Sequence, residues 1–168
     1  MAVGLCVAAL AASVPFPAAA IMSGEESKLA PSGDADYAAG KEAFQAERWQ
    51  VAIANLTMVV LRRPWHDNAH TMLGYSWRKL GNYDLAFAHY QAALELNPRH
   101  RGALAYLGAA YLDLGRKAEA DDTYRELAAV CQFVVMGFDN DGWFNGCDEL
   151  EALQAEYEGH GVPLPPTN

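Results

Sequence analysis

Residues 73–98, LGYSWRKLGNYDLAFAHYQAALELNP, decide the fold of this chain. Small residues stand at Gly74 and Ala86, and a large aromatic residue, Tyr90, follows one helical turn later. The stretch ends at Pro98, which cannot continue the hydrogen-bond ladder of a helix. We therefore predict two helices joined by a tight turn, which approach each other closely where their side chains are small.

The same pattern recurs along the chain at a fixed spacing of 34 residues. Because glycine costs a helix about 1 kcal/mol relative to alanine, a glycine kept in register indicates a packing constraint. We place three units at residues 33–66, 67–100 and 101–134. The residues that recur in register are Gly40, Gly74 and Gly108, then Ala52, Ala86 and Ala120, then Pro64 and Pro98.

Close contacts and helix ends follow from this register. Gly108 and Ala120 of the third unit are expected to be in contact, as are the corresponding residues of the second unit. Gly81 and Gly115 are expected to end the first helices, because each supplies a left-handed residue at no steric cost. A single pair of helices cannot bury its apolar face, so about three units and a cap are needed for stability.

The middle unit resembles the tetratricopeptide repeat, whose pattern is W-x2-L-G-x2-Y, then A-x3-F, then P, over about 34 residues. The matching residues are Leu73, Gly74, Trp77 in the Tyr position, Ala86, Tyr90, Ala93 and Pro98. The resemblance covers residues 33–134. It implies an all-α solenoid of three tetratricopeptide helix-turn-helix repeats with a C-terminal capping helix. It also implies a scaffold that binds a protein or peptide.

The N-terminal sequence is typical of a secretory signal peptide. An apolar run at residues 3–14 is followed by Ala18, Ala19 and Ala20, the small residues that a signal peptidase requires. We expect cleavage after residue 20, a linker at residues 21–33, and a periplasmic or secreted protein. A frayed apolar arm and a signal anchor are the alternatives.

The C-terminal third departs from the repeat pattern. We assign residues 34–135 to the repeats, 136–160 to a cap and 161–168 to a flexible tail. The cap combines a helix from Cys147 to Tyr157 with aromatic residues expected to lie beneath it: Phe133, Phe138, Trp143 and Phe144. A cysteine that closes the last repeat, followed by a Gly-Cys-acidic helix, resembles small exported tetratricopeptide proteins of Gram-negative bacteria.

Two cysteines remain after signal cleavage, Cys131 and Cys147. An even number in an exported chain favours a disulfide, which we predict between them. In the chain-entropy model a loop of this length contributes about 3 kcal/mol. Two free buried thiols and metal ligation are the alternatives, although no Cys or His pair has zinc spacing.

Composition and motifs exclude several functions. A net charge of −9 and a pI near 4.9 argue against a nucleic-acid partner, whose binding depends on phosphate neutralisation. The acidic turn at residues 139–142 resembles a calcium loop, but Gly137 occupies the first ligand position. No catalytic motif is present, so we predict no enzyme, no metal and no cofactor. Outside the signal region no stretch is apolar and long enough to span a bilayer.

The first helices of the repeats line the concave groove in the tetratricopeptide family, and this resemblance gives the candidate binding residues. Aromatic and cationic side chains on such a surface suit a peptide with apolar and acidic residues. The carboxylate-clamp subtype is not expected, because Tyr37, Met72, Gly102 and Tyr106 occupy its polar positions. The groove residues are Tyr37, Lys41, Phe44 and Gln45, then Asn68, Thr71, Tyr75, Arg78 and Lys79, then Ala105, Ala109 and Leu112.

The resulting hypothesis is a non-catalytic, exported scaffold that binds a protein or peptide in its groove. Tyr37, Phe44 and Tyr75 are expected to form one aromatic strip. The alternative is a structural or assembly subunit of a membrane-associated complex, held through its convex or C-terminal surface.

Overall fold

The computed structural model describes residues 34–134 and 147–166. Within these ranges the chain forms seven α-helices and no β-strand. The helices are α1 (Ala35–Gln45), α2 (Trp49–Arg62), α3 (Asp67–Lys79), α4 (Tyr83–Leu96), α5 (Arg101–Asp113), α6 (Lys117–Val134) and α7 (Asp148–Gly159). The predicted all-α fold is confirmed.

Several sequence predictions lie outside the described residues. They are the signal peptide at residues 1–20, the linker at residues 21–33, the acidic turn at residues 139–142, and the aromatic side chains of Phe133, Phe138, Trp143 and Phe144.

The first six helices form three consecutive helical hairpins. α1 packs on α2, α3 on α4, and α5 on α6. Each hairpin stacks on the next, since α3 also packs against α2 and α5 against α4. The resulting solenoid buries residues of equivalent register, among them Leu56, Tyr90 and Tyr124.

Side chains cap the helix N-termini. Asp34 Oδ1 accepts from the backbone N–H groups of Asp36 and Tyr37 at the start of α1. The N-cap positions of α3 and α5 hold His66 and His100, whose Nδ1 atoms accept from backbone N–H groups at 3.3 and 3.2 Å. These two histidines therefore supply hydrogen bonds that the free helix ends would lack.

The turns inside the repeats share one backbone conformation. Gly81 and Gly115 have φ angles of 77° and 68°, in the left-handed region. Glu47 stands 34 residues before Gly81 and has a φ of 56°. The first repeat thus places a side chain where the other two repeats have glycine, and a non-glycine residue is disfavoured in that region by about 1–2 kcal/mol.

We expect Glu47→Gly to raise the free energy of unfolding by about 1 kcal/mol, because it removes the steric cost of the left-handed conformation. Urea unfolding followed by circular dichroism measures the change. Glu47→Ala is the matched control, since it also removes the carboxylate but keeps Cβ. Equal stability of the Gly and Ala variants would show that the φ angle is not the cause.

The glycines that recur at 34-residue spacing in the second and third repeats are closely packed. A Cβ on Gly74 would lie 2.5 Å from Cε1 of Tyr90 and 3.1 Å from the carbonyl oxygen of Ala86. The sequence predicted this close approach of Gly74 to Ala86. A Cβ on Gly108 would instead lie 3.0 Å from Cδ2 of Leu153 in α7. The nearest neighbours of Gly108 thus belong to α7, because this helix packs onto that position.

A histidine pair joins the two helices of the second repeat. His70 Nδ1 lies 3.1 Å from His89 Nδ1, and His70 Nε2 lies 3.1 Å from the carbonyl oxygen of Pro64. A carbonyl only accepts, so His70 carries its proton on Nε2, and the His89 Nδ1–H group donates to His70. Burial, and next the adjacent His70, lower the pKa of His89 to about 4.

We expect acid to destabilise the fold through His89. Its folded pKa of about 4 lies below the ordinary histidine value of 6.5, so the unfolded chain binds more protons between these pH values. The free energy of unfolding should fall by about 2 kcal/mol as the pH drops through this window. This is less than the full pKa shift implies, because solvent screens the partly exposed imidazole. Urea titrations at a series of pH values measure this slope. His89→Leu should flatten it; an unchanged slope would assign the effect to other groups.

The chain after α7 is docked on the repeats. Val162 packs against the core cluster formed by α5, α6 and α7. Its backbone N–H donates to the carbonyl oxygen of Tyr157 at 2.9 Å, and Pro165 is buried. The flexible tail predicted to begin at residue 161 is therefore anchored as far as Pro165, because Val162 and Pro165 provide apolar contacts.

Candidate functional site

Four aromatic rings from four helices form one continuous cluster, which we call the aromatic platform. Its members are Phe44 of α1, Trp49 of α2, Tyr75 of α3 and Tyr106 of α5. The Tyr75 ring centroid lies 5.1 Å from that of Phe44 and 4.5 Å from that of Tyr106. All four side chains are partly exposed. The platform thus reaches across all three repeats.

Cationic side chains lie beside the platform. Lys79 Nζ lies 5.1 Å from the ring centroid of Tyr75, within the range of a cation–π interaction. Lys41 is exposed on α1. Tyr37 does not belong to the platform contacts: its ring stacks on His66 with centroids 4.5 Å apart. The expected aromatic strip therefore contains Phe44 and Tyr75, while Tyr37 packs on the cap of α3.

A cleft of about 440 Å³ adjoins the platform. Thr71 lies in its floor and is buried; its hydroxyl donates to the carbonyl oxygen of Asp67 at 3.0 Å and lies 3.2 Å from His100 Nε2. Thr71 therefore joins the second repeat to the third and does not present a free hydroxyl. The lining residues are Phe44, Asp67, Asn68, Thr71, Met72, Asn97, Arg99, His100, Arg101, Gly102, Tyr106 and Glu149.

Arg78 is the buried centre of an ion-pair network whose two carboxylates are partly exposed, contrary to its predicted role as a groove cation. Its side chain is 4% exposed, and Nε donates to Asp113 Oδ2 at 2.6 Å. Nη2 donates to Asp113 Oδ1 at 3.2 Å and to Glu156 Oε1 at 3.3 Å. The network joins α3, α5 and α7. Arg78 is therefore unavailable to a partner while α7 is in place.

The electrostatics of the network follow from Arg78. Burial alone would raise the pKa of Asp113, but hydrogen bonding and the charge of Arg78 outweigh it and hold this pKa below its usual value. Burial lowers the pKa of Arg78, and its bonds to Asp113 more than reverse this, so the net shift is upward. Tyr83 donates to Asp113 Oδ2 at 3.3 Å. Both charges are thus fixed at neutral pH.

The one group of potential metal ligands found among the described residues lies at this ion-pair network. Ligand atoms of Asp113, Glu156 and His160 all lie within 4.8 Å of one another. The guanidinium of Arg78 already bonds both carboxylates, so a metal ion would have to compete with a buried positive charge. We assign this group to the ion-pair network.

Comparison with known proteins supports the repeat assignment of the second hairpin and the fold of the chain. The family model of the tetratricopeptide repeat matches residues 68–100. The fold is similar to that of the TPR2B domain of yeast Sti1, solved in complex with pHsp70. That similarity has a TM-score of 0.62 and 20% identity, over 74% of this chain and 94% of that chain. Residues 68–100 therefore match a tetratricopeptide repeat, and the described helices have the fold of a tetratricopeptide-repeat domain. No curated protein sequence matches it.

In this fold the wall formed by the first helix of the third repeat is covered by α7. Ala105, Ala109 and Leu112 are buried in the same cluster as Leu153 and Tyr157 of α7. The prediction that these three residues line an open groove was wrong, because α7 lies on α5. The open part of the groove is formed by the aromatic platform and the adjoining cleft.

The start of α7 is joined covalently to the end of α6. Cys131 and Cys147 form a disulfide, with Cα atoms 5.6 Å apart. Cys147 is also the N-cap residue of α7. The disulfide therefore fixes the position at which α7 begins. Among the described residues, no helix is long and apolar enough to cross a membrane.

Sequence reasoning missed two residues of the platform, Trp49 and Tyr106. Trp49 is the first residue of α2, and its contact with Tyr75 depends on the hairpin turn that precedes it. Tyr106 lies at the sixth position of its repeat, next to the positions that were counted as groove. Met72 has the same position in the second repeat and also lines the cleft. Including this position would have identified Tyr106.

Proposed function

We propose that this protein is a non-catalytic scaffold that binds an apolar and acidic peptide segment of a partner protein on the aromatic platform. The observation that carries the proposal is the continuous cluster of four half-exposed rings across three repeats. Rigid aromatic residues provide large contact areas at low entropic cost and are typical anchors of interfaces. Lys79 supplies positive charge beside the Tyr75 ring, and Lys41 is exposed on α1.

The similar yeast domain supports a protein ligand for this fold, since it was solved in complex with pHsp70. Its own ligand is not transferred to this chain. The clamp positions here hold Tyr37, Met72, Gly102 and Tyr106, and only Lys41 nearby is basic. We therefore propose recognition by aromatic contact, with the lysines selecting for acidic residues in the peptide.

A displayed random-peptide library, selected on the unmodified full chain, tests the proposal. Selected peptides are then titrated calorimetrically into the parent, Tyr75→Ala and Tyr106→Ala. We expect a loss of about 2 kcal/mol, roughly thirtyfold in affinity, for each platform variant. Tyr111→Ala is the matched control, because Tyr111 is also a half-buried tyrosine, stacked on Phe87 away from the platform. Equal losses for all three variants would contradict binding at the platform.

We further propose that the protein is exported to the periplasm or secreted. The apolar run at residues 3–14 and the alanines at residues 18–20 support a cleavable signal. The Cys131–Cys147 disulfide supports it independently, because disulfides persist in oxidising compartments. Expression in a Gram-negative host followed by N-terminal sequencing should give a mature chain that starts near Ile21. An intact N-terminus in the cytoplasmic fraction would contradict export.

One observation favours the second candidate function, an assembly subunit held through its outer surface. Val51, Met58 and Leu61 are exposed on α2, and Trp65 is exposed in the turn that follows it, with Leu61 and Trp65 being 70% and 67% exposed. The equivalent positions of the second repeat are Leu85, Ala92, Glu95 and Arg99.

The fold therefore does not require apolar residues on that outer face. Leu61→Asp tests this role, because it would block docking there and leave binding of library peptides to the platform unchanged. If the Leu61→Asp variant no longer binds the selected peptides and the Tyr75→Ala variant still binds them, the outer face is the binding surface.

A further inference from the structure

α7 does not continue the stacking order of the repeats. α3 packs chiefly on α4 and on the preceding α2, and α5 likewise on α6 and on the preceding α4. α7 packs mainly on α5 and makes fewer contacts with α6, the helix that precedes it. It therefore lies mainly on α5, the first helix of the third repeat, and contacts α6 as well. The surface of α5 and α6 that α7 covers is the groove wall of the third repeat.

The contacts of α7 resemble those of a bound amphipathic helix. Leu153 fills the space left by Gly108, within 3.1 Å of where a Cβ would lie. Tyr157 is fully buried, and its hydroxyl donates to Asp121 Oδ1 at 2.8 Å. Glu156 accepts from Arg78 at 3.3 Å. One apolar, one acidic and one phenolic side chain, at positions i, i+3 and i+4, thus share one face of α7.

α7 depends on this wall for its helical structure. It has 12 residues, a length at which isolated helices are marginal in water. Its side chains pair with acceptors and donors on three other helices: Arg78 of α3, Arg101 of α5, and Tyr124 and Asp121 of α6. The wall therefore provides shape, charge and hydrogen-bond groups for one particular helical pattern.

We infer that the groove wall of the third repeat is a helix-binding site whose resident ligand is α7. The site fits a partner helix with the pattern Leu-x-x-Glu-Tyr, which places Leu at Gly108, Glu at Arg78 and Tyr at Asp121. Such a helix competes with α7 for the wall. This inference rests on the proposed scaffold function and adds a second site, distinct from the aromatic platform.

A fluorescent peptide of residues 148–162 tests the inference by anisotropy against two full-length proteins. In Leu153→Asp the resident helix is weakened while every residue of the wall is unchanged, so this variant should bind the peptide at least tenfold more tightly than the parent. A peptide with Glu156→Lys is the matched control and should bind the variant at least tenfold more weakly. Equal binding by the two proteins, no binding to the variant, or equal binding of the two peptides would overturn the inference.

Hydrogen exchange on the unmodified full chain provides a second measurement. It can be made even if the Leu153→Asp variant fails to fold. A resident ligand should detach without global unfolding, so amides of α7 should exchange at least tenfold faster than those of α3 and α4. Exchange of α7 at the rate of α3 would show an integral core helix and overturn the inference.

Different results would contradict the proposal of peptide binding at the aromatic platform and the inference of a helix-binding site. Tyr75 has no contact with α7 among the described interactions, so Tyr75→Ala introduced into the Leu153→Asp chain should leave binding of the 148–162 peptide unchanged. If this peptide binds while no library peptide depends on Tyr75, the platform proposal fails and the helix site stands. If library peptides depend on Tyr75 and the 148–162 peptide does not bind, the reverse holds.

Discussion

Arg78→Ala is expected to lower the free energy of unfolding by about 4 kcal/mol. The guanidinium is nearly fully buried. It forms ion pairs with the carboxylates of Asp113 and Glu156. Breaking a buried pair by removing one partner costs about 3–5 kcal/mol, because the remaining charge is left uncompensated. The loss should appear in urea unfolding followed by circular dichroism at neutral pH.

Two comparisons identify the cause. Arg125→Ala breaks an exposed pair with Asp122, in which both side chains are largely solvated, and should cost less than about 1 kcal/mol. Acid should reduce the deficit of Arg78→Ala, because protonation of Asp113 removes the charge that Arg78 compensates. A deficit for Arg78→Ala no larger than that for Arg125→Ala would show that the network does not hold α3, α5 and α7 together.

The fold followed from local features of the sequence. The spacing of glycine, alanine and proline by 34 residues predicted the helical hairpins, and the family comparison confirms a tetratricopeptide repeat. Helix ends at Gly81 and Gly115 depend on one residue and its neighbours, so they were accessible to sequence reasoning. Glu47 has the same conformation without glycine, because the register of the hairpin imposes it.

The candidate binding surface depends on contacts between residues far apart in the chain. It was therefore harder to predict from the sequence than the helices were. Arg78 has the position of a groove cation, and its burial results from Asp113 and Glu156, which are 35 and 78 residues away in the chain. The burial of Ala109 likewise depends on which face of the solenoid α7 covers. Nothing in the local pattern of either helix determines that choice, which follows from the fit of Leu153 against Gly108.

Gly74→Ala is expected to cost about 3 kcal/mol, at the upper end of the range for overpacked cores. A Cβ there would lie 2.5 Å from Cε1 of Tyr90, a rigid ring with no exposed surface, and 3.1 Å from a backbone oxygen. Neither neighbour can move without separating α3 from α4. The gain in helix propensity, about 1 kcal/mol, is too small to offset this strain.

Gly108→Ala is the matched control for Gly74→Ala, because both substitutions add one methyl group to the middle of a first helix. Its Cβ would meet only the flexible end of Leu153, at 3.0 Å, so strain and helix propensity should nearly cancel, leaving a change within about 1 kcal/mol. Tyr90→Leu supplies the second comparison, since the equivalent residue of the first repeat is Leu56. In a double-mutant cycle, Gly74→Ala should cost less in the Tyr90→Leu background, with a coupling of at least about 1 kcal/mol. If the two glycine substitutions cost the same and the cycle shows no coupling, the register glycine is not retained for contact with Tyr90, and helix packing in the second repeat must depend on other residues.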